Sequence, residues 1–192
     1  MRPDRMIAFT DGVIAILITI LVLELRPPDG HHLSDILDEK GPLLAYLLSF
    51  VFVAIYWVNH HHLMQVVHTI DGRTLWANIG LLFCLSLTPM ATAWLGQAGV
   101  ETGPVAAYAI VLLACAFAFT ILTICLLASH GPESKLAEAI GNDRKGKASI
   151  ALYLVALACA FFVPWVSVAL FVTVALIWLV PDKRIERVIF DR

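Results

Sequence analysis

Three polar clusters stand inside otherwise apolar sequence. Arg5-Met6-Ile7-Ala8-Phe9-Thr10-Asp11-Gly12 opens the first apolar run, Trp57-Val58-Asn59-His60-His61-His62-Leu63 closes the second, and Asn78 lies one turn into the third. An ionisable or amide side chain at membrane depth is expensive and is a functional candidate by default. Asp11 needs hydrogen-bond donors there. His60, His61 and Asn78 are the candidates at its depth, while Trp57, His60, His61 and Met64 share one face of the second helix. Such a network can lock helices together, gate a conduit or sense protons. The locking role weighs more than the other two.

Other chemistries fit less well. Asp11 with the histidines could relay protons in a proton-coupled or cation transporter, although the chain shows no inverted repeat. Imidazoles are common metal and haem ligands, yet three consecutive histidines point in three directions on a helix, and no second helix offers a pair. A membrane redox protein is therefore the weaker alternative. No Cys/His or Ser/His spacing converges at one depth, so the chain does not read as an enzyme. Cys84, Cys115, Cys125 and Cys159 sit singly in apolar runs and read as small hydrophobes.

The elements that position these groups follow from hydropathy. The 192 residues are 60% hydrophobic and 15% charged, and the mean hydropathy is +0.84, far above soluble domains. A net charge of -2 and the lack of a long basic run exclude nucleic acid as a partner. Apolar runs cover about Ile7–Leu25, Leu43–Leu63, Leu75–Leu95 and Pro104–Ser129, and then Ala148 to Val180 without a charge. One helix over that last run would be about 50 Å long, against a hydrocarbon core of about 30 Å. Two short spans are expected instead, turning near Phe162-Val163-Pro164-Trp165, where Pro breaks the helix and Trp suits the interface.

The expectation is thus an all-α polytopic membrane protein with six transmembrane helices, in one domain over 1–192. The basic residues support it. With both termini cytoplasmic, every Lys and Arg except Arg26 and Lys40 falls on the inner side. The first run is read as a retained helix, because no small-residue cleavage site follows Leu25. The external loop Arg26–Gly41 holds Asp29, Asp35, Asp38 and Glu39 and is expected to contain a short helix capped by Ser34. Residues 133–147 form a polar inner link, and 182–192 a short amphipathic tail. Without an internal repeat, a symmetric pore would have to come from oligomerisation.

At 100° per residue, Arg5, Gly12, Ile16, Thr19 and Leu23 form one stripe of the first helix, and Asp11 points to an adjacent face. Periodicity alone makes so apolar a stripe better suited to lipid or core than to a pore.

Arg5-x-x-x-Phe9-Thr10-Asp11 resembles the Arg-x-x-x-Phe-Ser-Asp signature on the first helix of the lysosomal potassium-channel family called transmembrane protein 175, including its bacterial members. Trp57-x-x-His60-His61-x-Leu63, Leu85-Ser86-Leu87-Thr88-Pro89 and Trp94-Leu95-Gly96 are similar to that family too. The last three helices match only in number and hydrophobicity. Thr10 replaces the usual Ser and keeps the hydroxyl. The resemblance implies a potassium-permeable, multi-pass cell-membrane channel without a Thr-Val-Gly-Tyr-Gly filter, and none occurs here. It implies a homotetramer whose first helices line the pore: Gly12 on the lining face, Ile16 at a hydrophobic constriction, Thr19 as a hydroxyl layer and Leu23 as a further apolar ring. No resident cofactor or metal is implied beyond potassium passing Thr19. Ala15 stands where the family often has a second hydroxyl, which implies weaker selectivity.

Overall fold

In the computed structural model, residues 1–28, 30–141 and 143–179 are described; the expected tail 182–192 and Asp29 lie outside them. The described residues form helices joined by short links, with no strand among them. Helix α1, Asp4–Leu23, buries Met6, Thr10, Ile14, Leu17 and Leu21, a spacing of three or four residues that puts one face on the bundle. It ends before Pro27-Pro28. A 3-10 segment, Leu33–Glu39, follows. Its cap differs from expectation: Asp35 accepts the His32 backbone N–H at 2.8 Å, and the Ser34 hydroxyl is turned to Asp35 instead.

Helix α2, Lys40–Gln65, runs 26 residues, about 39 Å. The third apolar stretch is divided into α3, Gly72–Ser86, and α4, Thr88–Ala98. Sequence reading placed one span there. The division has a local cause: Pro89 has no N–H for the Leu85 carbonyl and its ring crowds that turn. Helix α5, Thr102–His130, is the 29-residue core helix, burying Tyr108, Leu112, Leu122 and Leu126 and packing on α3, α4, α7 and α8.

The polar link contains a short helix α6, Lys135–Ile140, capped by Ser134. Helices α7, Arg144–Cys159, and α8, Pro164–Leu179, are 16 residues each. They turn through residues 160–163, with Pro164 starting α8, as the sequence arithmetic expects. By length and composition, four stretches can cross a membrane: α1, α2, α3 with α4, and α5; α8 is apolar but shorter.

Two contacts fix the site's surroundings. A Cβ on Gly96 would lie 2.8 Å from the Cα of Pro42, so α2 and α4 meet backbone to backbone. In the α2–α3 link, the Ile70 N–H donates to the Met1 carbonyl at 2.9 Å, tying the start of α1 to that link.

Candidate functional site

The side chains that the sequence grouped at one depth are brought together as two separate contacts. Thr10, on the buried face of α1, accepts from the Asn78 amide of α3 at 2.9 Å. The Asn78 oxygen lies 3.0 Å from His60 Nε2 of α2. That oxygen can only accept, so His60 carries its proton on Nε2. All three side chains are fully enclosed, and the chain of bonds holds α1, α2 and α3 together without an unmatched polar atom.

Asp11 lies one residue further round the helix and turns to α2 alone. Its Oδ1 accepts from Trp57 Nε1 at 2.9 Å. This corrects the expected donors, because His60, His61 and Asn78 do not serve it. The physical reason is rotational: a step of 100° carries Asp11 off the buried face to its flank, where the long indole of Trp57 reaches it. His60 and Asn78 face inward and are taken up with Thr10. His61 stacks on Trp57, ring centroids 5.6 Å apart, and accepts from the Gln65 amide at 2.8 Å. His62 adjoins the His61 ring. The three histidines therefore diverge, one enclosed and two toward the surface.

The other stripe of α1 is turned away from the bundle. Arg5, Gly12 and Thr19 are exposed; Ile16 is 61% and Leu23 78% exposed. A Cβ placed on Gly12 would meet no atom within 4 Å. The Thr19 hydroxyl donates to the Ile16 carbonyl at 2.7 Å, so its proton is spent within the helix and its oxygen lone pairs face outward. Phe9, which the sequence assigned only to the signature, is 54% exposed and falls on this same face. The buried residues Thr10, Ile14, Leu17 and Leu21 occupy the opposite side. Helix α1 is thus held by one face and offers the other.

Sequence reasoning missed a second enclosed polar knot. The Ser49 hydroxyl of α2 pairs with the Tyr108 hydroxyl of α5 at 2.8 Å. Thr92 of α4 lies 2.6 Å from Ser49 and 2.7 Å from the Thr88 carbonyl. Hydroxyls set in apolar runs were the available signal.

Comparison with known proteins places this geometry. The family model described as endosomal/lysosomal potassium channel TMEM175 matches residues 5–89, which carry all of the contacts between α1, α2 and α3 above. A protein named potassium channel from Chryseobacterium sp. (strain P1-3) is 47% identical over 97% of this chain and 97% of its own length. Another of that name from Chamaesiphon minutus is 33% identical over 87% and 88%. The crystal structure of a homologue of the lysosomal potassium-selective channel TMEM175 from Chamaesiphon minutus matches with a TM-score of 0.79 at 30% identity, covering 92% of this chain and 95% of that one.

Proposed function

Since this chain belongs to the family of the endosomal/lysosomal potassium channel TMEM175, it is a potassium channel, and we propose that the outward stripe of α1 lines its pore. The observation that carries this reading is the division of α1 into an anchored face and an unpartnered one. A single chain does not enclose the stripe, so the conduit needs further copies around an axis. Four copies, a homotetramer, give each stripe its place.

At the axis, four Ile16 side chains would hinder ions by dewetting. Thr19 lies one turn further along, and its outward lone pairs supply a hydroxyl layer to a partly dehydrated potassium ion. Leu23 forms an apolar ring beyond it, and Gly12, lacking a side chain, leaves room on the other side of Ile16. One hydroxyl ring replaces only part of a hydration shell, so discrimination among cations is modest. Potassium is the permeant species, with no resident cofactor.

The topology in this reading is six spans, with the turn at 160–163 separating the last two and both termini in the cytoplasm of a multi-pass cell-membrane protein. The distribution of Lys and Arg supports that orientation. The test is potassium flux from liposomes for wild type and Ile16→Asn. The variant is expected to conduct faster and to select less between potassium and sodium. Unchanged flux and selectivity would remove Ile16 from the constriction.

A further inference from the structure

The link between α2 and α3 is strung between two other elements. Val66, Val67 and Ile70 bury their side chains, while the backbone of the link is tied outward at two points. At one, the Ile70 N–H meets the Met1 carbonyl just before α1. At the other, the His68 N–H donates to Nε2 of His130, the last residue of α5, at 3.4 Å. The start of the first helix and the end of the core helix therefore share one short segment of backbone.

The second tie depends on the charge of a ring. His130 Nδ1 lies 2.9 Å from the Leu126 carbonyl, which can only accept, so Nδ1 carries the proton. The Ser129 hydroxyl gives its own proton to the same carbonyl at 2.9 Å and so does not donate to the ring. Nε2 of the neutral ring is then bare, and its lone pair is what the His68 amide uses. A second proton can go only to Nε2, where N–H would face N–H and the tie is lost. Imidazole is the side chain that changes charge between about pH 5 and 8.

The ring is placed to meet such protons. Helix α5 has 29 residues, about 43 Å against a hydrocarbon core of about 30 Å, long enough to carry its last turn into water, and His130 is only half-buried. The titratable and charged side chains on the segments packed there are His68 and Asp71 of the link, Arg73 of α3, and Glu133, Lys135 and Glu138 in and before α6. Asp71 is taken up by Thr74. Among the described residues none of the six side chains is hydrogen-bonded or ion-paired to the imidazole, whose polar contacts are Leu126, Ser129 and the His68 backbone. No neighbouring charge therefore stands in for the lost lone pair when the ring is protonated.

We propose that His130 is an acid-released latch: the neutral ring holds the α2–α3 link and, through it, the start of α1, and the imidazolium lets both go. Its effect on conduction rests on the reading above, in which α1 lines the pore and begins in the cytoplasm. Freeing the start of α1 lets that helix move, so acid on the cytoplasmic side raises the potassium current.

The test has two arms. Amide hydrogen exchange of the purified chain, corrected for the intrinsic rate, is followed in the link at about pH 7.5 and about pH 5.5. Exchange in wild type should quicken by at least about threefold at the lower pH. His130→Gln, or His130→Asn, keeps an acceptor that does not titrate and should show no such change; His130→Phe, with no acceptor, should exchange fast at both. His68→Asn keeps the backbone N–H and should behave as wild type. In planar bilayers, with the pH changed on one side at a time, wild-type current should rise at least about twofold on acidification of the cytoplasmic side, and that of His130→Gln should not. Exchange that ignores pH in wild type, or that keeps its pH dependence in His130→Gln, would overturn the latch. A wild-type current that ignores cytoplasmic pH would overturn its control of conduction. The exchange arm needs no pore, so its failure is distinct from a failure of the Ile16→Asn test.

Discussion

Trp57 Nε1 and Asp11 Oδ1 are 2.9 Å apart, and this is the bond that ties the flank of α1 to α2. Trp57→Phe removes the donor and keeps an aromatic ring. Interhelical hydrogen bonds in membranes are worth about 0.6 kcal/mol, at most about 1.7. The variant should therefore fold, with a coupling of that size to Asp11→Asn in a double-mutant cycle of unfolding free energies. If α1 lines the pore, the same variant should change potassium flux far more than it changes Tm.

The buried chain Thr10, Asn78 and His60 behaves differently, because breaking it strands an enclosed group. Asn78→Leu leaves the Thr10 hydroxyl and His60 Nε2 without their partner, which costs about 1–3 kcal/mol, a fall of roughly 2–12 °C in Tm. His60→Gln keeps an N–H near the position of Nε2 and should lose less than His60→Leu. Circular dichroism melts of the three variants check the order.

Gly96→Ala should be destabilising by about 1–3 kcal/mol, because its Cβ meets the Pro42 backbone, which has no flexible end to swing away. Gly80→Ala, in α3, meets nothing within 4 Å and should be neutral or gain up to about 1 kcal/mol from helix propensity. Melting the pair side by side separates close approach from loss of a glycine.

Asp71, at the start of α3, supplies the pH dependence that can be read outside the spans. The Thr74 backbone N–H, followed by its hydroxyl, holds this carboxyl below its ordinary value of 3.8. A depressed folded value means that the charged cap favours the folded state above pH 3.8 and that this contribution fades as the pH falls through the lowered value. The Tm difference between wild type and Asp71→Ala should be constant near neutrality and shrink below about pH 4. A difference that grows with acidity contradicts the assignment.

Much of this was legible in the sequence because the membrane imposes simple rules. The long apolar runs, the turn at 160–163 and the two faces of α1 follow from hydropathy, helix rise and the 100° step. What was not legible depends on how one helix is rotated against another. Asp11 and Thr10 are neighbours, yet one meets Trp57 and the other Asn78, and no spacing rule assigns those partners. The knot of Ser49, Thr92 and Tyr108 was missed for the same reason: each hydroxyl is ordinary in its own run, and only the crossing of α2, α4 and α5 joins them. The division at Pro89 was within reach, since proline inside an apolar run disrupts a helix. The motif around it drew attention to resemblance instead of geometry.

The polar contacts of α1 with the other helices fall near its beginning, at Thr10 and Asp11, while beyond them its buried contacts are Ile14, Leu17 and Leu21. Mechanically this is a beam clamped near one end and resting on a greasy bearing along the rest. Ile16 stands about 9 Å from the clamp and Leu23 about 20 Å. A tilt of about 10° about that point would displace Ile16 by about 1.6 Å and Leu23 by about 3.4 Å, with methyl groups sliding over one another and no hydrogen bond broken.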